Sequence, residues 1–303
     1  IALLLALSYH HVWFSQNARG YTGLLFFCSA ATLAFIKGME KPGWLIWTGY
    51  GLLVSAAMYM HMSAGFFFVS HGVIYAGIAG QALLKRGQET RWPGAAQWWP
   101  VFGIGLSIII TLALYAPVIG QALATIGEVS KASAAPGGAA LAEWRNPLRA
   151  VWEIGQSISS AGPLVPLILL GAVLVLAAGV MDLFRRDPVL VAIYVVHVPL
   201  AMLLLYIVGV RIWPRYFFVD IGFIFMALVE GVYVWSRILA PRLRWREQPI
   251  FDAKWIAQTG LVLMGVISVG LLVPNYLHPK QDFTGARDFL RAYAKPGDSI
   301  AAI

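Results

Sequence analysis

Apolar and polar positions follow one another along this chain in blocks, not with the two-residue period of a strand. Long apolar runs lie near 20–37, 43–60, 63–84, 98–118, 163–184, 188–210, 215–239 and 255–275, with short polar stretches between them. Several reach the roughly 20 residues that an α-helix needs to cross a bilayer. The pattern predicts eight membrane helices. As a single helix, 43–84 would extend about 60 Å, about twice the hydrocarbon thickness. A hairpin at His61-Met62-Ser63 resolves this, with a first arm that is short for a span.

The two ends of the chain read differently. The opening IALLLALS is too short to span and has no basic stretch before it, so it is not a signal peptide. It reads as the end of a helix that begins upstream. The closing DSIAAI reads as a strand just beginning, so the chain is expected to continue in both directions.

Composition agrees with the pattern. Only 12% of residues are charged, against about 25% in soluble domains. The net charge of +8 invites a nucleic-acid partner, but its distribution argues against one. Lys37, Lys41, Lys85, Arg86, Arg91, Arg185, Arg186, Arg242, Arg244, Arg246 and Lys254 fall in one alternating set of connections. Arg19, Lys131, Arg145, Arg149, Arg211 and Arg215 fall in the other. The richer set marks the cytoplasmic side. The lone Cys28 gives no disulfide framework and no thiolate metal site within the chain.

Two outward segments are not spans. In the 119–162 connection, GEVSKASAAPGGAALAE is rich in small residues, whereas NPLRAVWEIGQSIS has Leu148, Val151, Trp152, Ile154 and Ile158 at helical spacing. Asn146 and Pro147 suit an N-cap and a first helical residue. This helix lies in the outer interface or packs on its own bundle. In the tail, Phe283, Ala286, Phe289, Leu290 and Tyr293 repeat at helical spacing before a Lys-Pro-Gly-Asp turn. The expected organisation is a bundle over 1–278 and the beginning of a further domain over 279–303.

Polar groups at membrane depth must be satisfied by protein or by a wet cavity. Two clusters lie at outward span ends. YHHVWFSQNARGY places His10, His11, Gln16, Asn17 and Arg19 among Trp13, Phe14 and Tyr21. RIWPRYFFVD places Arg211 and Arg215 on either side of a Trp-Pro step, with Tyr216 next. Arginine suits phosphate because its planar fork binds two oxygens at once. An aromatic belt with arginines reaching lipid headgroups explains the same residues, and spacing does not choose. His10 and His11 are adjacent, so they point apart on a helix, and no carboxylate is close to complete a metal site. His71, His197, Asp220 and Glu230 lie within spans. Such histidines more often bond a neighbouring helix than act on substrate, Asp220 is placed to pair with an arginine, and Glu230 should be neutral or partnered.

SYHHVWFSQNARGYTGLLFF resembles a segment of GT-C membrane glycosyltransferases of the protein-mannosyltransferase and aminoarabinose-transferase type. GLLVSAAMYMHMSAGFFF is similar to that family's short hairpin, and PRYFFVDIGFIFMALVEG to its Arg-Tyr span. DFTGARDFLRAYAKPGDSI is similar to the helix and turn that open its outer domain. The resemblance implies an all-α transmembrane bundle with the start of a small α/β extracytoplasmic domain, in a bacterial inner membrane with its active face outward. It implies transfer of a sugar from a polyprenyl-phosphate donor to an acceptor hydroxyl on a lipid, glycan or protein. Arg19 and Arg215 would contact the donor phosphate, and His11, Gln16, Tyr21, His61, Arg211 and Tyr216 would line the pocket. No cofactor is implied, with a divalent cation left open. The catalytic carboxylate would precede Ile1, and Asn17 stands where the family often has an acid. The alternatives are a transporter or flippase of lipid-linked sugars and a non-catalytic membrane scaffold, which would not need two arginine-aromatic clusters on one side.

Overall fold

The computed structural model describes residues 1–15, 20–84, 92–121, 165–208, 214–242, 252–277 and 283–293, with positions 124, 156, 162, 212, 244–245 and 248–249 between them. Two short helices open the chain, α1 (Ala2–Leu7) and α2 (Tyr9–Ser15). Then follow α3 (Tyr21–Glu40), α4 (Trp44–Met60), α5 (Ala64–Leu84) and α6 (Trp99–Tyr115). After the 119–162 connection come α7 (Val165–Arg186), α8 (Pro188–Val208), α9 (Ile221–Leu239), α10 (Ala253–Leu277) and α11 (Phe283–Tyr293). A 3-10 segment, Pro214–Asp220, leads into α9. A two-residue antiparallel pair joins Arg244–Trp245 to Gln248–Pro249.

Helices stand at all eight places where apolar runs predict spans. Five are long and apolar enough to cross a membrane: α3, α7, α8, α10 and the continuous stretch Arg215–Arg242. The chain is a multi-pass membrane protein built as an all-α bundle. The α4 and α6 helices have 17 residues each, about 25 Å of helix, which is short of a hydrocarbon core of about 30 Å. The predicted outer helix of the 119–162 connection and the predicted strand at the end of the tail lie outside the described residues. The helical repeat of the tail is α11.

Local chemistry sets the helix ends. Asp187 accepts the Leu190 N–H at 3.2 Å through its side chain, and Pro188 follows at the first helical position of α8. Between α4 and α5 the chain turns at His61, as expected. The His61 Nδ1 accepts the Ser63 N–H at 3.2 Å and the Ser63 hydroxyl at 2.7 Å. We call this the hairpin end of the bundle, and the opposite, arginine-rich end the basic end. Exposed tyrosines (Tyr59, Tyr206, Tyr276) mark the former and exposed tryptophans (Trp44, Trp98, Trp255) the latter, the two amphipathic residues that favour a membrane boundary.

The core lies around α3, α4 and α5, where Leu24, Phe35, Trp47 and Phe67 are fully buried. Half of the α3 window is buried, against 6% of the α10 window, so α10 lies at the lipid-facing periphery. In the second half, α7 and α9 meet backbone to backbone. A Cβ on Gly179 would strike the Ala227 carbonyl, and one on Gly231 the Val175 carbonyl. Small residues permit this approach in a medium with no hydrophobic drive between helices. Trp235 Nε1 then donates to the Leu174 carbonyl at 3.2 Å. Arg186 reaches both Asp182 and Glu230, the latter at 3.2 Å, so Glu230 is partnered, as its depth requires.

Candidate functional site

Three segments far apart in sequence meet at the hairpin end. The first carries α2 into α3 through Gly20, which caps α3 with φ +70°. A Cβ on Gly20 would sit 2.8 Å from the Met60 carbonyl oxygen. Glycine thus serves twice here: it takes the left-handed conformation and lets the chain lie on the hairpin tip. Tyr21, the first residue of α3, is buried and stacks on His61 with ring centroids 5.1 Å apart.

The third segment completes the cluster through Phe218. Its ring lies 5.6 Å from Tyr21, 4.9 Å from Phe14 and 6.2 Å from His11, the last stacked at 16°. Phe14 also meets Tyr21 edge-on at 4.9 Å. Beside this group Phe66 touches Tyr216 at 6.2 Å, and the Arg215 guanidinium carbon lies 5.6 Å from the Tyr216 ring centroid. Burial of the His11 imidazole lowers its pKa from the ordinary 6.5.

The segment is a 3-10 helix, so residues three apart eclipse. Arg215 and Phe218 therefore share one edge, and Phe217 and Asp220 share the next. The second edge faces α8. Asp220 accepts from His197 Nδ1–H, at 2.9 Å for Oδ1 and 3.2 Å for Oδ2, and Phe217 lies 6.0 Å from the same imidazole. This corrects the expected arginine partner for Asp220: its carboxylate bonds His197, and its register is that of Phe217.

Of the sequence-predicted site residues, His11, Tyr21 and His61 share the cluster, and Arg215 with Tyr216 flanks it. Gln16, Arg19 and Arg211 lie outside the described residues. Sequence reasoning missed Phe218 and Phe66, which join the segments. The available signal was the spacing of Arg215 and Phe218, which reads as one edge only if the segment is known to be 3-10. Among the described residues no group of three or more His, Cys, Asp or Glu is placed to hold a metal ion.

Comparison with protein-family models, with curated proteins and with solved structures finds no match to this chain. Chemically, the cluster is a buried pair of rings, Tyr21 and Phe218, bordered by the partly exposed His11, Phe14, His61, Phe66 and Tyr216, with the partly exposed Arg215 beside it at a bundle end. Aromatic faces suit apolar chain or sugar rings, and the guanidinium suits an anionic oxygen. The two together suit an amphipathic anion.

Proposed function

We propose that this chain is the membrane bundle of a GT-C-type transferase, which moves a sugar from a polyprenyl-phosphate donor to an acceptor hydroxyl at the hairpin end. The observation that carries the reading is the meeting of His11, Phe14 and Tyr21 with His61, Phe66, Tyr216 and Phe218 in one aromatic cluster flanked by Arg215. In such a reaction the lipid phosphate is the leaving group, and a fixed cation stabilises the charge it gains in the transition state. Arg215 takes that role together with Arg19, and Arg211 supports them. His11, Gln16, Tyr21, His61 and Tyr216 line the donor site. The reaction also needs a carboxylate base to remove the acceptor proton. The hairpin end is the outer face of a bacterial inner membrane.

A flippase of lipid-linked sugars is the second reading. The His197–Asp220 pair favours it, because ionisable pairs inside spans also mark transport paths. One experiment separates the two. The whole protein is reconstituted in vesicles with labelled polyprenyl-phosphate sugars, and both transfer to extracted acceptors and movement between leaflets are read. Transfer that drops at least about a hundredfold in Arg215→Ala supports the transferase, in line with loss of one transition-state donor. Movement without transfer selects the flippase. Transfer unchanged in both Arg19→Ala and Arg215→Ala removes the site assignment.

A further inference from the structure

The pair formed by His197 and Asp220 sits apart from the aromatic cluster, inside the bundle. His197 is fully buried and Asp220 is 5% exposed. The His197 Nε2 has no hydrogen-bond partner among the described residues. Phe67 meets both His197 and His71 edge-on, at 5.2 and 5.1 Å. A buried pair of this kind is not what stability requires, since apolar replacement of both partners is often neutral or stabilising.

Its place on the 3-10 segment gives it a task. Pro214–Asp220 spans seven residues, whereas 3-10 runs rarely exceed about three or four. The α form has the better hydrogen-bond geometry, so tertiary contacts must hold the segment as it is. Asp220 occupies the N-cap position of α9 but makes no capping bond with its side chain. Aspartate is a favoured N-cap, and here its carboxylate is committed to His197 instead. Between Asp220 and Arg215 a change from 3-10 to α geometry would turn Arg215 by about 100° and draw it in by about 2.5 Å. The edge shared with Phe218 would then leave Tyr21.

We propose that the His197–Asp220 hydrogen bond is a positioning clamp that fixes the rotation of the 3-10 segment, so that Arg215 faces the Tyr21–His61 cluster and binds the anionic lipid headgroup. The proposal rests on the donor-site reading above. Asp220 and His197 are positioning residues; the contact with the headgroup belongs to Arg215. Phe217, eclipsed with Asp220, packs on the same imidazole and resists the same rotation.

The test uses the whole protein in detergent and equilibrium binding of a long-chain polyprenyl phosphate without sugar. Single loss of either partner strands a buried polar group, so the diagnostic variant is the double His197→Leu/Asp220→Leu, checked for native helicity. It should bind at least about tenfold more weakly, as the loss of a charge-assisted contact predicts. Asp220→Asn keeps an acceptor for Nδ1–H and should rescue most of the affinity lost in Asp220→Leu. In turnover assays the double variant should raise the donor KM and also lower kcat, because the displaced Arg215 no longer meets the charge of the transition state. A folded double variant with wild-type affinity overturns the clamp alone, as does a failed rescue. No binding by the wild type overturns both the clamp and the donor-site reading. If the double variant does not fold, hydrogen exchange on the wild type decides. Amides of 215–220 should slow when the lipid phosphate is added, and no change overturns the clamp.

Discussion

His71 and His197 both meet the Phe67 ring edge-on and both are fully buried, yet the regions around them are built on different rules. On the α3–α4–α5 side, Thr32 gives its hydroxyl proton to the Cys28 carbonyl at 2.9 Å. It must therefore accept from His71 Nε2–H, at 3.3 Å, and the Tyr50 hydroxyl then donates to the bare Nδ1 at 3.2 Å. Both nitrogens of His71 are thus paired with hydroxyls, none of them a carboxylate. On the α8–α9 side His197 faces a carboxylate and has a second nitrogen without a partner among the described residues. The first region joins three helices at little electrostatic cost. The second keeps an expensive group where one helix changes from 3-10 to α geometry. Histidine inside a membrane bundle is thus read from its partners, not from its depth.

The largest effect should follow from breaking the charged side. His197→Leu alone leaves the Asp220 carboxylate buried without its donor and should destabilise the bundle by about 3–5 kcal/mol. Adding Asp220→Leu should recover most of that loss. Reversible unfolding in mixed micelles measures both. A single variant as stable as wild type would mean that the carboxylate finds another donor or water, and the contrast between the regions would fail.

The neutral side should yield less. His71→Leu removes two hydroxyl bonds but strands no charge, and Thr32 keeps its bond to Cys28. A cost of about 1–2 kcal/mol is expected. A cost equal to that of His197→Leu, in the same micelles, would show that burial alone governs both sites.

Much of this architecture was legible in the sequence, for a physical reason. An apolar run of about 20 residues has few fates besides a membrane helix, so the eight helices stand where their runs lie. The hairpin at His61 followed from length alone. The site was less legible. Pro214 suits the first position of an α-helix, and nothing local in RYFFVD marks a 3-10 helix. The shared edge of Arg215 and Phe218 was hidden for that reason. The His197–Asp220 bond joins different helices across 23 positions, and Asp220 in isolation suited the nearer arginine. Tyr21, His61 and Tyr216 were legible as aromatic or polar groups at span ends, where a membrane leaves few other roles for them.

A third histidine sharpens the comparison at the water boundary, with the smallest effect. His11 is half-buried against Phe218, and burial holds its pKa below the ordinary 6.5. The unfolded chain therefore takes up this proton first as the solution is acidified. The stability that His11 contributes is complete above about pH 6.5 and is lost as pH falls toward its folded value, where the loss levels off. His11→Phe keeps a ring against Phe218 and has no proton to bind. Melting curves from about pH 8 to about pH 5 should thus fall more steeply for wild type than for the variant. His10 and His61 remain in both proteins, so the difference between the two slopes isolates His11. Parallel slopes would mean that its imidazole meets as much water folded as unfolded, and the stacked contact with Phe218 would not be a buried one.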